Sequence, residues 1–322
     1  MMHHRRWFAP LLVMVLLAIM AAGCALPGKS AEPKTLKIGV LPIADVVPMY
    51  VAQQEGFFTQ EGIQVELVPV ASGTERDALI QSGGLDGQLN EVLTTLLTNA
   101  GGSVQVKIVT TARRPFPNQP LFYIVTAPNS GITDVEGLKG VEIAIGENTV
   151  VHYVADRVLQ HAGLSAGDIR FTNVPKIPVR FELLMGGQVK AAVLPDPFAS
   201  LAILQGAVVA VDDTAYPEVS HSVISFRTEV LKDRPNTIKA FLRAYDKAVQ
   251  ALNQNPDKYR DILIQTARVP EALQGRYTLP TYPEKELPSE AQVADVVQWA
   301  LDKGLIQKPL AYDQLVDASF RK

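Results

Sequence analysis

The sequence predicts an α/β fold, a sheet covered by helices, and three observations carry that expectation. Short β-branched runs alternate with amphipathic helical patterns from Thr35 onward. Roughly 290 residues follow the N-terminal leader and tether, enough for two lobes of ordinary domain size. The single cysteine, Cys24, leaves the remaining chain without a possible disulfide, so its stability must come from burial.

In chain order, Leu36–Leu41 reads as a strand and Pro42–Val47 as a loop. A helix opens at Pro48, where a missing N–H costs nothing, and Ile63–Val70 is the second strand. After a turn at Ala71–Gly73 come a helix from Thr74 to Gln81, a strand near Leu85–Asn90, another helix, and a strand at Val104–Ala112. The Pro- and Arg-rich break Arg113–Pro120 separates these from a second set of strands, at Leu121–Ala127, Val141–Gly146, Ile169–Val174 and Ala191–Leu194. Ser220–Arg227 looks like a return strand, and long helices at Ile238–Asn253 and Ala291–Lys303 are expected to pack back on the first lobe. The spacing of Tyr50, Phe57 and Phe58 suits core packing better than ligand stacking.

The leader is itself informative. His3, His4, Arg5 and Arg6 precede an apolar run from Trp7 to Ala22, and small residues then lead into Cys24, the pattern of a secretory signal peptide over residues 1–23. Cys24 after Gly23 resembles the lipobox of bacterial lipoproteins. That resemblance implies acylation of Cys24 and a lipid anchor, although Ala21 stands where such motifs most often carry Leu. Residues 24–34, small, polar and Pro/Gly-containing, read as a flexible tether.

With 30 Lys+Arg against 33 Asp+Glu the chain has no basic excess, which argues against nucleic acid as a partner. Gly23–Ser30 matches P-loop spacing but straddles the lipobox and tether, outside any strand-to-helix turn. Beyond the leader, His152, His161 and His221 share no metal-ligand spacing, and neither a metal, a cofactor nor an enzymatic activity is expected. His152 lies near a helix start and is expected to be a satisfied core or surface histidine.

Three stretches carry a family resemblance: Lys37–Val40 with PMYVAQQEGFFTQEGIQVEL over Pro48–Leu67, GLKGVEIAIG over Gly137–Gly146, and GQVKAAVLPDP over Gly187–Pro197. They resemble the nitrate/sulfonate/taurine type of ABC-importer solute-binding proteins, which includes thiamine-precursor and riboflavin binders. The resemblance implies a type II periplasmic-binding-protein fold. Lobe I would comprise 35–120 and 223–322, and lobe II 121–222, with a ligand cleft between them. It also implies a monomeric binder at the extracytoplasmic face of the membrane, delivering its ligand to an ABC permease with a cytoplasmic ATPase. A solute-sensing lipoprotein and an enzyme reusing the fold remain the alternatives, and export argues against the enzyme. The first loop, Leu41–Val47, departs from the thiamine-precursor pattern, so the ligand stays open between a sulfonate, another small anion, a thiamine precursor and a flavin.

Ligands of open α/β sheets bind beyond the carboxyl ends of strands, where helix N-termini offer free N–H groups. In the first lobe this selects Asp45, Ser72, Thr74, Asn90 and Arg113; in the second it selects Asn148, Thr149, Lys176, Arg180 and Asp196. Each has an ordinary alternative. Ser72, Thr74 and Thr149 suit N-caps, Asn90 a turn, Asp45 a solvated loop, and Arg113, Lys176 and Arg180 surface charges.

Overall fold

The computed structural model describes residues 32–321, so Cys24, the leader and most of the tether lie outside the described residues. Two five-stranded sheets organise the chain. The first is ordered β2-β1-β3-β10-β4, from β1 (Thr35–Val40), β2 (Gln64–Pro69), β3 (Gly87–Glu91), β4 (Val106–Arg113) and β10 (Ser222–Arg227). The second is ordered β7-β6-β8-β5-β9, from β5 (Phe122–Thr126), β6 (Glu142–Ile145), β7 (Arg170–Asn173), β8 (Ala191–Pro195) and β9 (Val208–Asp212). β1, β2 and β3 pair in parallel, as do β6, β7 and β8. In each sheet one antiparallel strand breaks the pattern: β5 is the first strand of the second sheet, and β10 is the strand that re-enters the first.

The predicted strands are present within a few residues, except that β9 was not foreseen. A 3-10 turn at Ala44–Val46 precedes α1 (Val47–Gln54), which begins one residue before Pro48 and is followed by the short α2 (Phe57–Gln60). The other helices between strands are α3 (Gly73–Gln81), α4 (Val92–Gly101), α5 (Val150–His161), α6 (Ile177–Met185) and α7 (Phe198–Leu204). After β10 come α8 (Thr228–Asp233), α9 (Pro235–Gln254), α10 (Arg260–Thr266), α11 (Glu271–Gln274), α12 (Glu290–Asp302) and α13 (Tyr312–Leu315). Among the described residues no helix is long and apolar enough to cross a membrane.

One core lies between the first sheet and α1, α2 and α9, with Phe58 stacked on Phe241 at 5.6 Å between ring centroids. Tyr50 and Phe57 pack at its edge. Another runs beneath both sheets, joining Val92, Leu96 and Ile108 to Ile143, Val154 and Trp299. The long helix α9 does pack on the first lobe. The expectation for the last long helix needs amending, because α12 belongs to both lobes. Its apolar face meets α4, while its polar contacts reach α5 of the second lobe. Ser289 and Gln292 form the capping box that starts it. Trp299 Nε1 donates to Asp156 Oδ2 at 2.8 Å, Arg157 makes two 2.8 Å bonds to Asp295, and Tyr153 donates to Asp295 at 2.7 Å.

Two crossovers join the lobes and are fastened to each other. Asp213, fully buried where the second begins, accepts from the backbone N–H groups of Leu121 (3.0 Å) and Phe122 (3.1 Å) where the first ends. Desolvation pushes its carboxyl up to about 6. His221, in the return crossover, sits 2.9 Å from Gln292 Nε2, and desolvation with the nearby Arg114 charge pushes it down to about 4.

Two outcomes are expected. Trp299→Ala should lower unfolding free energy by about 3–5 kcal/mol in chemical denaturation, since it empties a filled site and removes one of the donors to Asp156, leaving Gln160 and Lys303. His221 has a folded pKa below its unfolded value near 6.5, so the stability it supports is present above that value and lost as pH falls towards about 4. Thermal unfolding midpoints across that window should therefore fall further for the wild type than for His221→Gln, which stays neutral throughout.

Candidate functional site

A cleft of about 900 Å³ opens between the lobes at the carboxyl ends of the parallel strands. From the first lobe it is lined by the start of α3 and one face of α4, and from the second by the loop after β6, the start of α5 and the start of α6. Two side-chain-capped helix N-termini, those of α3 and α5, face the same space. Ser72 caps α3 by accepting from Glu75 N at 3.1 Å, while the Glu75 carboxylate accepts from Ala71 N at 2.7 Å. Thr149 caps α5 by accepting from Val151 N at 3.2 Å, and its hydroxyl donates to Gly146 O at 2.7 Å. Asn148 holds φ at +60°, a left-handed conformation that Asn tolerates, and its N–H donates to His152 Nδ1 at 3.2 Å. His152 is buried edge-on against Trp299 and Phe171, and its pKa is lowered by desolvation; it is a core histidine that props the loop.

Of the ten residues selected from sequence, five line this cleft: Ser72, Thr74, Asn148, Thr149 and Arg180. The others are placed elsewhere in the wall or surface. Asp45 and Arg113 bind each other at 3.0 Å, both buried, fastening the loop after β1 to the end of β4. Burial opposes the charge on Arg113, but Asp45 together with Tyr282 and Tyr277 outweighs it and the net shift is upward. Arg113 is the last residue of β4 rather than part of the break, and its Nη2 reaches Pro120 O at 3.4 Å. Asn90 is fully buried, donating to Thr95 Oγ1 at 2.9 Å and accepting from Ser225 Oγ at 3.0 Å. Asp196, just ahead of α7, accepts from the N–H and hydroxyl of Ser200 in its first turn at 3.0 and 2.8 Å. Lys176 is exposed at the start of α6.

Arg76, Glu91 and Gly146 also line the cleft and were not foreseen. Arg76 is almost fully buried, donating to Leu89 O at 2.8 Å and to Asp77 at 3.0 Å, with Glu91 at 3.8 Å. A signal was present in the sequence: Arg76 stands four residues after Ser72 just as Arg180 stands four after Lys176, at corresponding places in the two halves. The lining thus combines hydroxyls, two helix N-termini and guanidinium groups in its walls, an arrangement that suits a small oxyanion. Among the described residues no group of three or more His, Cys, Asp or Glu is placed to hold a metal ion.

Comparison with known proteins agrees with this architecture. The profile described as NMT1/THI5 like matches residues 43–259, about two thirds of the chain. A Bacillus subtilis (strain 168) protein assigned as aliphatic sulfonates-binding is 26% identical over 267 residues, covering 78% of this chain and 77% of its own. The 4-amino-5-hydroxymethyl-2-methylpyrimidine phosphate synthase of Schizosaccharomyces pombe is 29% identical over 123 residues, covering 38% of this chain and 34% of its own. The crystal structure of the periplasmic aliphatic sulphonate binding protein SsuA from Escherichia coli superposes with a TM-score of 0.75 at 21% identity, covering 89% of this chain and 92% of that one. The fold is the two-lobed, type II periplasmic-binding-protein fold.

The buried ion pair beside the first crossover has a measurable signature. Asp45→Asn or Arg113→Met alone should cost about 3–5 kcal/mol in denaturant unfolding, because each leaves one buried polar or charged partner unmatched. The double replacement should cost much less than their sum, which a double-mutant cycle reads directly.

Proposed function

The chain belongs to the NMT1/THI5-like family, and from that premise we propose that it is the extracytoplasmic solute-binding component of an ABC importer. The observation that carries this reading is the cleft itself, walled by both lobes and faced by a helix N-terminus from each. Such a space serves capture by closure: a ligand touching both walls favours the closed state by its differential affinity for it. The cleft side chains Ser72, Thr74, Asn148 and Thr149 are the direct contacts we assign, while Asp45, Asn90 and Arg113 hold the loops that shape the wall. A small organic anion is the proposed ligand, with sulfonates first in line because the relatives described as sulfonate-binding match most of this chain.

We assign the lobes to 35–120 with 223–322 and to 121–222. Gly23-Cys24 after the apolar leader supports lipid anchoring through Cys24, with the tether leaving the folded part free to meet a permease and its cytoplasmic ATPase. Cleft hydroxyls and the guanidinium groups in the wall support binding of an anion.

A soluble form beginning after Cys24 should unfold at a higher temperature with a cognate anion. At a hundredfold excess over Kd the gain is about 2.7 kcal/mol by linkage. Screening sulfonates, nitrate, bicarbonate, thiamine precursors and flavins reads this out, and a shift confined to a neutral heterocycle would overturn the anion assignment. In cells, Cys24→Ser should move the protein from the membrane to the soluble fraction.

A further inference from the structure

The two lobes repeat one local design. In the first, Arg76, the fourth residue of α3, sends Nη1 to the carbonyl of Leu89 in β3, thirteen residues on, at 2.8 Å. In the second, Arg180, the fourth residue of α6, sends Nε to the carbonyl of Val193 in β8, again thirteen residues on, at 3.1 Å. β3 and β8 hold the same third place in their sheet orders, so the two arginines are structural equivalents. Both lie in the cleft wall with almost no exposed surface.

Their surroundings differ. Arg76 has Asp77 at 3.0 Å and Glu91 at 3.8 Å, so the protein itself balances its charge. Arg180 has only main-chain carbonyls, Val193 O and Val174 O at 3.0 Å, and its Nη2 is buried without a partner. Among the described residues no carboxylate forms an ion pair with it. Desolvation pushes its guanidinium down to about 10, as expected of a cation taken out of water without an opposite charge. The loop from Gly146 to Thr149 lies directly over it: a Cβ on Gly146 would stand 3.4 Å from both Arg180 Nη1 and Thr149 Oγ1. The N-terminus of α5, a twelve-residue helix, opens at the same loop. A buried charge is costly unless something balances it, and its field is weakly screened where water is excluded.

We propose that Arg180 sets the charge of the solute: it is a buried cation whose counter-charge is the oxyanion of a ligand resting on the Gly146–Thr149 loop, whereas Arg76 is a structural cation already neutralised within the protein. The inference rests on the solute-binding reading of the same cleft. Because Nη2 is covered, Arg180 acts through its field and by supporting the loop. The N–H groups of Glu147, Asn148 and Val151 already donate within the protein, so the ligand's direct partners are the remaining N–H groups at the start of α5 with the Asn148 and Thr149 side chains.

The test compares the full chain in mild detergent with Arg180→Gln, Arg180→Lys and Arg76→Gln. Each is titrated with ethanesulfonate, nitrate and acetate, and with neutral hydroxymethylpyrimidine, by calorimetry and thermal unfolding. Affinity for the anion that binds should fall at least about tenfold in Arg180→Gln. Its ligand-free midpoint should fall less than that of Arg76→Gln, and Arg180→Lys should recover part of the affinity. Arg76→Gln should lower the ligand-free midpoint instead. Unchanged anion affinity in Arg180→Gln, or a ligand-free midpoint lowered as far as in Arg76→Gln, would overturn the assignment. Binding of the neutral probe alone overturns it while leaving solute binding intact, and no binding by any probe removes the reading on which it rests.

Discussion

The first sheet is completed by a strand that the chain supplies only after building the second lobe. β10 lies between β3 and β4, so these two strands join one sheet only through it, once the return crossover delivers it. Gly87 permits the close approach, since a Cβ there would meet Phe226 at 2.5 Å. The buried Asn90 amide then ties β3 to Ser225 of β10 and to Thr95 of α4. Inserting a returning strand between two earlier ones forces both crossovers to lie side by side. Asp213 fixes them there through the N–H groups of Leu121 and Phe122.

That topology decides where the charges go. Asp45 and Arg113 stand at the carboxyl ends of β1 and β4, the outward side of the sheet where a binder would be sought, yet proximity to the crossover turns them into a buried structural pair. Further from the crossover, the helix starts at Ser72 and Thr149 remain open to the space between the lobes. The lining thus keeps short hydroxyls and helix starts facing the cleft, even where, as at Ser72 and Thr149, they also cap their own helices. Main-chain N–H groups and short hydroxyls suit a ligand carrying its own negative charge, because they cost little to leave hydrated when the cleft is empty.

Helix α12 adds a second connection between the lobes. Towards α5 it offers directional bonds, from Trp299, Tyr153 and Arg157 to Asp156 and Asp295. Its valines Val293, Val296 and Val297 join the apolar core that runs beneath both sheets. Hydrogen-bonded ion pairs tolerate little displacement, whereas apolar side chains slide at lower cost.

By itself the sequence determined the kinds of elements and their order, because helix periodicity, strand alternation and N-caps are settled over a few neighbouring residues. It also marked Ser72, Thr74, Asn148 and Thr149 as cleft-facing, since a loop leading from a strand into a helix N-terminus is legible locally. The edge strand β9 escaped because the short run Val208–Asp212 takes its identity from pairing with β5. Tertiary structure alone decided that Asp45 belongs to Arg113, 68 residues away, that Asn90 belongs to Ser225, 135 residues away, and that Arg76 is balanced while Arg180 is not. Those outcomes follow from which distant groups the closed topology brings within about 3 Å, and hydrogen bonds and ion pairs fall off too steeply with distance for local spacing to foretell them.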